Sequence, residues 1–227
     1  MNDIDVLLKI DETTISRLKK LDTTTLTDAM DRLRLPARGL YGLKPILPGK
    51  TVCGPAFTVR FTAADKITDP AGDFLDDVPA GAIVGIDNHG RTTDTVWGDI
   101  MAWAAKTKGI ESTFIDGVCR DIPGIRDADY PIFSRGFYMV TGKGRTKVEA
   151  VMEPIVMSNL RVHPGDILFG DDSGAICIPR DCVKEVLKVG EEIAEAEYKI
   201  LTRVKQGLSL RNAREEMGYH SLQAPRN

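Results

Sequence analysis

The central part of the chain alternates between segments typical of buried strands and segments typical of helices. Residues 80–90 (AGAIVGIDNHG) and 110–117 (IESTFIDG) are nearly continuous apolar runs beside glycines, as in strands covered on both faces. Residues 95–109, between them, are rich in alanine and end in Lys-Gly, which predicts a helix. A short helix over 120–131 and a strand over 131–136 are expected next. This alternation predicts a parallel sheet with crossover helices, and therefore an α/β fold.

The flanking segments predict further strands and helices. They are two helices within 13–34 that end before Pro36, a strand at 54–63, a hairpin at 162–179 around Asp-Asp-Ser-Gly, a long helix at 180–206 and a short helix at 209–217. Residues 1–179 are therefore expected to form one β/β/α domain with N-terminal helices. Residues 180–227 are expected to form a C-terminal helical extension.

Charge and cysteine usage argue against several classes of protein. The 227 residues carry 30 Lys and Arg against 33 Asp and Glu, so charge alone favours neither nucleic acid nor anionic lipid. No apolar run approaches the roughly 20 residues of a membrane span, and the acidic N-terminus does not resemble a secretory signal. The four scattered cysteines indicate reduced thiols and a cytoplasmic protein. Three histidines without zinc-site spacing leave carboxylates and water to hold any metal, which favours Mg²⁺ or Mn²⁺.

The sequence Trp-Gly-Asp-Ile-Met at 97–101 is the first candidate site. Gly98 lies where the predicted strand meets the predicted helix, so the first N–H groups of that helix are free to bind a carboxylate or phosphate. Asp99 then has two interpretations. It is either part of this anion site or a first-turn acid that complements the helix dipole.

The sequence Asp-Gly-Val-Cys-Arg-Asp at 116–121 is the second candidate site. Asp116 and Gly117 end a predicted strand, which is where ligands bind in open α/β sheets. Arg120 offers a planar fork of donors that matches a carboxylate, and Asp121 is an oxygen ligand suited to a divalent ion. The structural alternative is that Asp121 caps the next helix and that Arg120 pairs with Asp116.

The long C-terminal helix carries an acid within its apolar face. Apolar residues and one glycine recur at steps of three and four, with one step of seven, at Val183, Val186, Gly190, Ile193, Ile200 and Val204. Glu197 continues this stripe, and an ionised carboxylate there is costly unless it is paired. Glu197 is therefore either an edge residue that pairs with a lysine or a carboxylate delivered to a site, including one on a neighbouring subunit. Glu195 lies off the stripe.

Other motifs do not indicate chemistry. His89 and His163 stand alone and favour loop residues over metal ligands. Residues 142–147 (GKGRTK) lack the spacing of a phosphate-binding P-loop and are interpreted as a basic turn. No G-x-G-x-x-G follows a strand, which argues against a methyl-donor or dinucleotide site.

These motifs together resemble the RraA-like family. The resemblance covers most of residues 20–205, and it rests on GPAFTV (54–59), WGD (97–99), GIESTFIDGVCRD (109–121), PIFSRG (131–136) and VHPGDILFGDDSGAICIP (162–179). The family includes 4-hydroxy-4-methyl-2-oxoglutarate/4-carboxy-4-hydroxy-2-oxoadipate aldolases and the regulator of ribonuclease activity A. The resemblance implies a swivelling β/β/α fold, assembled as a homotrimer or homohexamer with sites between subunits. The extension at 180–227 would then pack on a neighbouring subunit.

The resemblance also implies roles for individual residues. Asp121 matches the aspartate that holds Mg²⁺ or Mn²⁺, partly through waters, and Arg120 matches the arginine that binds the pyruvyl oxygens. Further residues match the lining of the pyruvate site: Gly98, Asp99 and the amides of Ile100 and Met101. A glutamate from the C-terminal helix of the adjacent subunit completes the site. Glu197 is the match and Glu195 is the fallback.

The expected activity is that of a class II, metal-dependent aldolase, a lyase that cleaves a 4-hydroxy-2-oxo acid to pyruvate. Oxaloacetate decarboxylation is expected beside it, because loss of CO₂ from oxaloacetate produces the same enolate. The expected partners are a small keto acid and further copies of the chain, without nucleic acid or membrane. The alternative is a non-catalytic regulator that binds a ribonuclease or another protein. Asp99, Arg120, Asp121 and Glu197 together favour the enzyme.

Overall fold

A computed structural model describes residues 3–36, 38–67 and 72–216 of the protein. The α-helices are α1 (Asp3–Leu8), α2 (Glu12–Leu18), α3 (Thr23–Arg32), α4 (Asp99–Lys108), α5 (Ile122–Asp127), α6 (Val183–Lys205) and α7 (Leu210–Glu216). The strands are β1 (Lys44–Pro45), β2 (Val52–Ala63), β3 (Ile83–Thr95), β4 (Ser112–Cys119), β5 (Ile132–Phe137), β6 (Thr146–Val151), β7 (Ile155–Met157), β8 (Leu160–Val162), β9 (Ile167–Asp171) and β10 (Gly174–Ile178). Among these described segments, no helix is both long and apolar enough to cross a membrane.

The described strands form one large sheet and one small hairpin. The order in the large sheet is β1-β5-β4-β3-β2-β9-β10, with β6 also paired to β2. Its centre is parallel, because β2 pairs with β3, β3 with β4 and β4 with β5 in parallel register. Antiparallel pairs flank this centre, and β7 and β8 form the separate hairpin. The predicted α/β fold with a parallel layer is confirmed.

Both faces of the central strands are covered, which explains their continuous apolar sequences. Every residue of β4 is buried. Helices α4 and α5 pack on one face around Trp97, Ala102 and Ile125. The β7–β8 hairpin packs elsewhere on the sheet, where Phe114 and Met157 belong to one buried cluster. The sheet thus holds the carboxyl ends of β3 and β4, and the helices after them, in fixed positions.

The N-terminal helices and α6 form a second layer on β9 and β10. Leu18, Leu26, Phe169 and Val186 are buried together there. The predicted stripe of α6 faces this layer, since Val183, Val186, Gly190, Ile193 and Ile200 are all buried. A Cβ on Gly190 would come within 2.9 Å of Leu21, so the glycine permits close approach of the N-terminal helical region to α6.

Several boundaries differ from those predicted. The predicted helix at 95–109 begins only at Asp99, because β3 continues to Thr95 and Gly98 has an extended backbone. The predicted end at Gly109 is correct, and that residue is left-handed with φ 73°. The N-caps of α2 and α3 are Asp11 and Asp22, whose carboxylates accept from Thr14 N and Thr25 N. Helix α1 and strands β1, β6, β7 and β8 were not predicted, since these segments are short or lack a clear period.

Candidate active site at the amino ends of two helices

The two candidate motifs meet at the carboxyl edge of the parallel sheet. Helix α4 follows β3, and α5 follows the neighbouring β4, so both helices begin at this edge. The backbone N–H of Arg120 donates to Trp97 O at 3.0 Å, which joins the two connections. A cavity of about 270 Å³ opens there. Its walls include the residues that the resemblance assigns to the substrate and the metal: Gly98, Asp99, Ile100, Met101, Arg120 and Asp121.

Two glycines allow the helices to approach each other in a reciprocal way. A Cβ on Gly98 would lie 2.6 Å from Asp121 Oδ2, and a Cβ on Gly124 would lie 2.6 Å from the Cβ of Asp99. The side chain of Asp121 therefore packs against Gly98, just before α4, and the side chain of Asp99 packs against Gly124, within α5. The positions of Asp99 and Asp121 relative to each other therefore depend on having glycine, with no Cβ, at positions 98 and 124.

The side chain of Asp121 does not cap helix α5, which was the structural alternative for this residue. It occupies the position before α5, but its side chain accepts no capping hydrogen bond. Its Oδ2 lies 3.1 Å from Arg120 Nε, and its backbone is left-handed with φ 60°. A left-handed residue other than glycine is uncommon, although aspartate adopts this conformation more readily than most. Asp121 is one of seven described non-glycine residues with a positive φ, and it is the one of them that lines this cavity.

The alternative pairing of Arg120 with Asp116 is wrong. Asp116 is buried, and its two carboxylate oxygens accept from Arg135 Nε and from Ser158 N, the latter at 2.8 Å. These contacts tie the end of β4 to β5 and to the residue after β7. Arg120 is consequently left at the cavity, where its partner among the described residues is Asp121.

The segment 141–143 also lines the cavity, and the sequence did not indicate this. Thr141, Gly142 and Lys143 contribute to its wall. A Cβ on Gly142 would collide with Thr95 O, so the segment packs tightly on the end of β3. Lys143 adds a second cation to a wall that also contains Arg120. The segment was interpreted as a basic turn, and its position next to the end of β3 depends on long-range packing that the motif does not encode.

The floor of the cavity contains a buried indole. Trp97 is 2% exposed and stacks on Tyr130, with ring centroids 6.1 Å apart and planes 8° apart. Its Nε1 is buried without a hydrogen-bond partner among the described residues. The rigid ring pair supports the turn that presents Gly98 and Asp99.

The chain does not bring Glu197 to this cavity within one subunit. Glu197 lines a different cavity, of about 230 Å³, together with Ile200, Leu201 and Val204. It is partly buried, and burial, with Asp28 and Asp22 as smaller contributions, raises the pKa of its carboxyl. Glu195 is exposed and pairs with Lys199 at 2.7 Å, which lowers the pKa of Glu195. Delivery of either carboxylate to a neighbouring subunit stays a prediction.

The donor set fits a hydrated, oxygen-preferring ion rather than a fully protein-bound one. Within the described ranges, no group of three or more His, Cys, Asp and Glu side chains lies together as a metal cage. The cavity instead offers the carboxylates of Asp99 and Asp121 beside open volume. Mg²⁺ typically keeps several waters and takes one or two carboxylates, so these residues fit Mg²⁺ or Mn²⁺.

Comparison with known proteins identifies the fold family. The family model described as "RraA-like: Aldolase/RraA" matches residues 23–177. The chain belongs to the RraA-like family. The matched region contains every residue of the cavity wall and ends before α6, so Glu197 lies outside it.

The chain is also similar in sequence to individual named proteins. A putative 4-hydroxy-4-methyl-2-oxoglutarate aldolase of Halalkalibacterium halodurans is 30% identical over 174 residues, which cover 77% of this chain and 80% of that protein. Protein DlpA of Legionella pneumophila is 33% identical over 208 residues, which cover 90% of this chain. The chain spans only 34% of the length of DlpA.

Solved structures agree with the family assignment. An uncharacterized protein from Pseudomonas syringae pv. tomato superposes with a TM-score of 0.84 at 36% identity, covering 90% of this chain and 98% of that one. RraAS2 of Streptomyces coelicolor, described as an unusual member of the RNase ES inhibitor RraA protein family, superposes with a TM-score of 0.78 at 22% identity. That match covers 87% of this chain and 100% of the other, and it supports the RraA fold alone. The predicted RraA-like α/β fold with a long C-terminal helix is confirmed.

Proposed function

We propose that this RraA-like protein is a divalent-metal-dependent aldolase that cleaves a 4-hydroxy-2-oxo acid to pyruvate, with oxaloacetate decarboxylation as a side activity. The observation that supports this most directly is the cavity wall, which contains two cations, Arg120 and Lys143, and two carboxylates, Asp99 and Asp121. A keto acid needs cations for its carboxylate and oxo group, and a divalent ion needs carboxylates. The relative named as a putative aldolase supports the same reaction class.

The substrate carboxylate is assigned to Lys143 and the start of α4. Helix N-termini present unpaired N–H groups to anions, and α4 begins at the cavity. The N–H of Ile100 already donates to Asp99 Oδ1 at 2.8 Å. The substrate carboxylate would therefore replace Asp99 Oδ1 as the acceptor of the Ile100 N–H, or would accept a hydrogen bond from the N–H of Met101 instead.

The enolate oxygen is assigned to Arg120. Cleavage breaks the C3–C4 bond, the C4 hydroxyl loses its proton, and the electron pair of the broken bond produces the enolate of pyruvate, which then takes up a proton at C3. A fixed guanidinium stabilises the charge that develops on the oxygen, an effect of about 2.7–4 kcal/mol for a well-placed donor. Asp121, with Asp99 nearby, would hold the ion, which when bound supplies Lewis-acid polarisation of the oxo group.

The base for the C4 hydroxyl is assigned to Glu197 of a neighbouring subunit. Its raised pKa brings the carboxyl closer to neutral pH, which suits a group that must accept and return a proton. Its place outside the cavity of its own chain requires assembly of at least two copies. A homotrimer or homohexamer with sites between subunits is part of the proposal.

The proposal is tested by pyruvate release in an assay coupled to lactate dehydrogenase. Oxaloacetate and 4-hydroxy-4-methyl-2-oxoglutarate are offered with Mg²⁺, with Mn²⁺ or with EDTA. Metal-dependent release that falls about 10²-fold or more in Asp121→Asn supports the proposal. Asp127→Asn is the matched control, because Asp127 is an exposed aspartate at the end of α5, the short helix that follows Asp121. Release that is unchanged by EDTA and by Asp121→Asn would contradict it.

A regulatory function is the second candidate, and exposed apolar side chains beside the cavity favour some protein contact. Ile100 is 82% exposed, Phe137 67% and Met139 76%. In the aldolase proposal a second copy of the chain covers them, whereas in the regulatory alternative a ribonuclease does. Stable ribonuclease binding by a protein that releases no pyruvate from either substrate would favour the regulator.

A further inference from the structure

A second cavity, larger than the candidate active site, lies elsewhere in the described part of the protein. It has a volume of about 540 Å³ and lies among α1, α2, the start of β2, the turn before β3 and Glu111 before β4. These are the amino ends of the parallel strands, so the cavity is at the opposite edge of the sheet from Arg120. Its volume is within the range of small-molecule sites. None of its wall residues belongs to the wall around Arg120.

One wall of this cavity carries an ion pair with unused hydrogen-bonding capacity. Lys19 Nζ lies 2.5 Å from Glu111 Oε1, and Cys53 N also donates to Oε1, at 3.4 Å. In the described structure both contacts of this carboxylate thus go to one oxygen, and Oε2 remains able to accept. The Lys19 ammonium has three donors, of which this pair uses one. The wall therefore offers an acceptor and donors side by side.

The rest of the cavity is largely apolar and already formed. Leu8, Ile10, Ile15 and Pro55 line it. Burial raises the pKa of the Cys53 thiol to about 12, so this side chain is neutral and adds to the apolar surface. The guanidinium of Arg180 donates to Leu7 O and Lys9 O, which holds the α1–α2 connection in place over the cavity. The cavity does not depend on a rearrangement to exist.

We propose that this cavity binds a small zwitterion with an apolar body, of the class of aliphatic α-amino acids. The ammonium and carboxylate of an α-amino acid are adjacent, so they match Glu111 and Lys19 with opposite charges facing each other. The other two charged residues of the wall, Lys9 and Glu12, have opposite charges that cancel, so the wall favours a ligand of zero net charge. The apolar residues opposite the pair accommodate a branched side chain. This inference does not rest on the proposed aldolase activity.

Isothermal titration calorimetry of the full chain with L-leucine tests the proposal. Three analogues each remove one feature: 4-methylvalerate lacks the ammonium, 3-methylbutylamine lacks the carboxylate, and glycine lacks the apolar body. Saturable binding of L-leucine, with each analogue about tenfold weaker or more, is the expected result. No binding of L-leucine, or equal binding of 4-methylvalerate, would overturn the proposal.

Two variants locate the binding. Ser16→Trp places a large ring in the cavity from an exposed position of α2, and Glu111→Gln keeps the size of the side chain while removing its charge. Both should weaken L-leucine binding about tenfold or more, whereas Ser209→Trp, in the α6–α7 connection, should not. Circular dichroism melting checks that each variant is folded. Unchanged affinity in folded Ser16→Trp and folded Glu111→Gln would show that the ligand binds elsewhere, and would overturn the assignment.

Discussion

At the scale of single residues, the candidate active site depends on two glycines as much as on its charged side chains. Asp99 can approach α5 only because Gly124 lacks a Cβ, and Asp121 can approach the start of α4 only because Gly98 lacks one. Gly124 lies inside a short helix, where alanine would otherwise be the better residue by about 1 kcal/mol. We interpret the glycine as a choice that leaves room for the Asp99 side chain at the cost of a lower helix propensity.

Gly124→Ala should therefore damage activity more than stability. The new Cβ would lie 2.6 Å from the Cβ of Asp99, so Asp99 or α5 must move. A misplacement of about 1 Å at a reacting group can lower turnover about 10²-fold. The loss of stability should be smaller, because the higher helix propensity of alanine offsets part of the free energy lost by strained packing. Pyruvate release and urea denaturation measure the two effects. Gly39→Ala is the control, because a Cβ there meets nothing within 4 Å, and equal activity of the two variants would contradict the expectation.

At the scale of secondary-structure elements, helix α6 packs on the N-terminal helices through an apolar stripe that contains one partly buried acid, Glu197. Its buried stripe packs on the layer of α2 and α3, and Glu197 interrupts that stripe next to two aspartates. The periodicity of the sequence indicated both the stripe and its exception. It could not indicate Asp22, the N-cap of α3, or Asp28 within α3, because both are far away in sequence and only the packing of α6 on α3 brings them close.

Glu197→Gln should stabilise the protein at neutral pH. A carboxyl whose folded pKa is raised binds protons more tightly in the folded state. Its contribution to stability is therefore full below the unfolded pKa of about 4.3 and is lost as pH rises through the raised folded pKa. Removing the charge should raise Tm at about pH 7 and have little effect at about pH 4. Thermal melts at both pH values check this. Glu195→Gln is the control and should not raise Tm, since Lys199 lowers the pKa of Glu195. A lower Tm of Glu197→Gln at neutral pH would contradict the account.

At the scale of the whole molecule, sequence patterns predict the central layers better than the connections between them. The fully buried β4 and the glycine stop of α4 follow from local signals. The β7–β8 hairpin does not, since its strands are short and are held by Asp116 and Asp87, which accept from Ser158 N and Val156 N. Lys143 reaches the cavity for the same reason: long-range packing on Thr95 positions its loop.

The exposed apolar side chains beside the cavity predict an assembly of several copies. Met139→Asp places a charge in this surface and should dissociate the oligomer, because an unpaired charge is costly in an apolar interface. Sedimentation velocity measures the molecular mass, and pyruvate release should fall together with it if Glu197 acts between subunits. Val6→Asp, on the exposed face of α1, is the control. An oligomer that persists in Met139→Asp would contradict this use of the surface.

The central claim is that Arg120 stabilises a pyruvate enolate in the cavity between α4 and α5. Exchange of the methyl protons of pyruvate for deuterium, followed by NMR in D₂O, tests it directly and does not require the natural aldol substrate. The account predicts exchange that needs Mg²⁺ or Mn²⁺ and that falls about 10²–10³-fold in Arg120→Lys, because lysine lacks the planar fork. Arg126→Lys, an exposed arginine of α5, should exchange as the natural protein does. No exchange in the natural protein, or full exchange in Arg120→Lys, would contradict the claim.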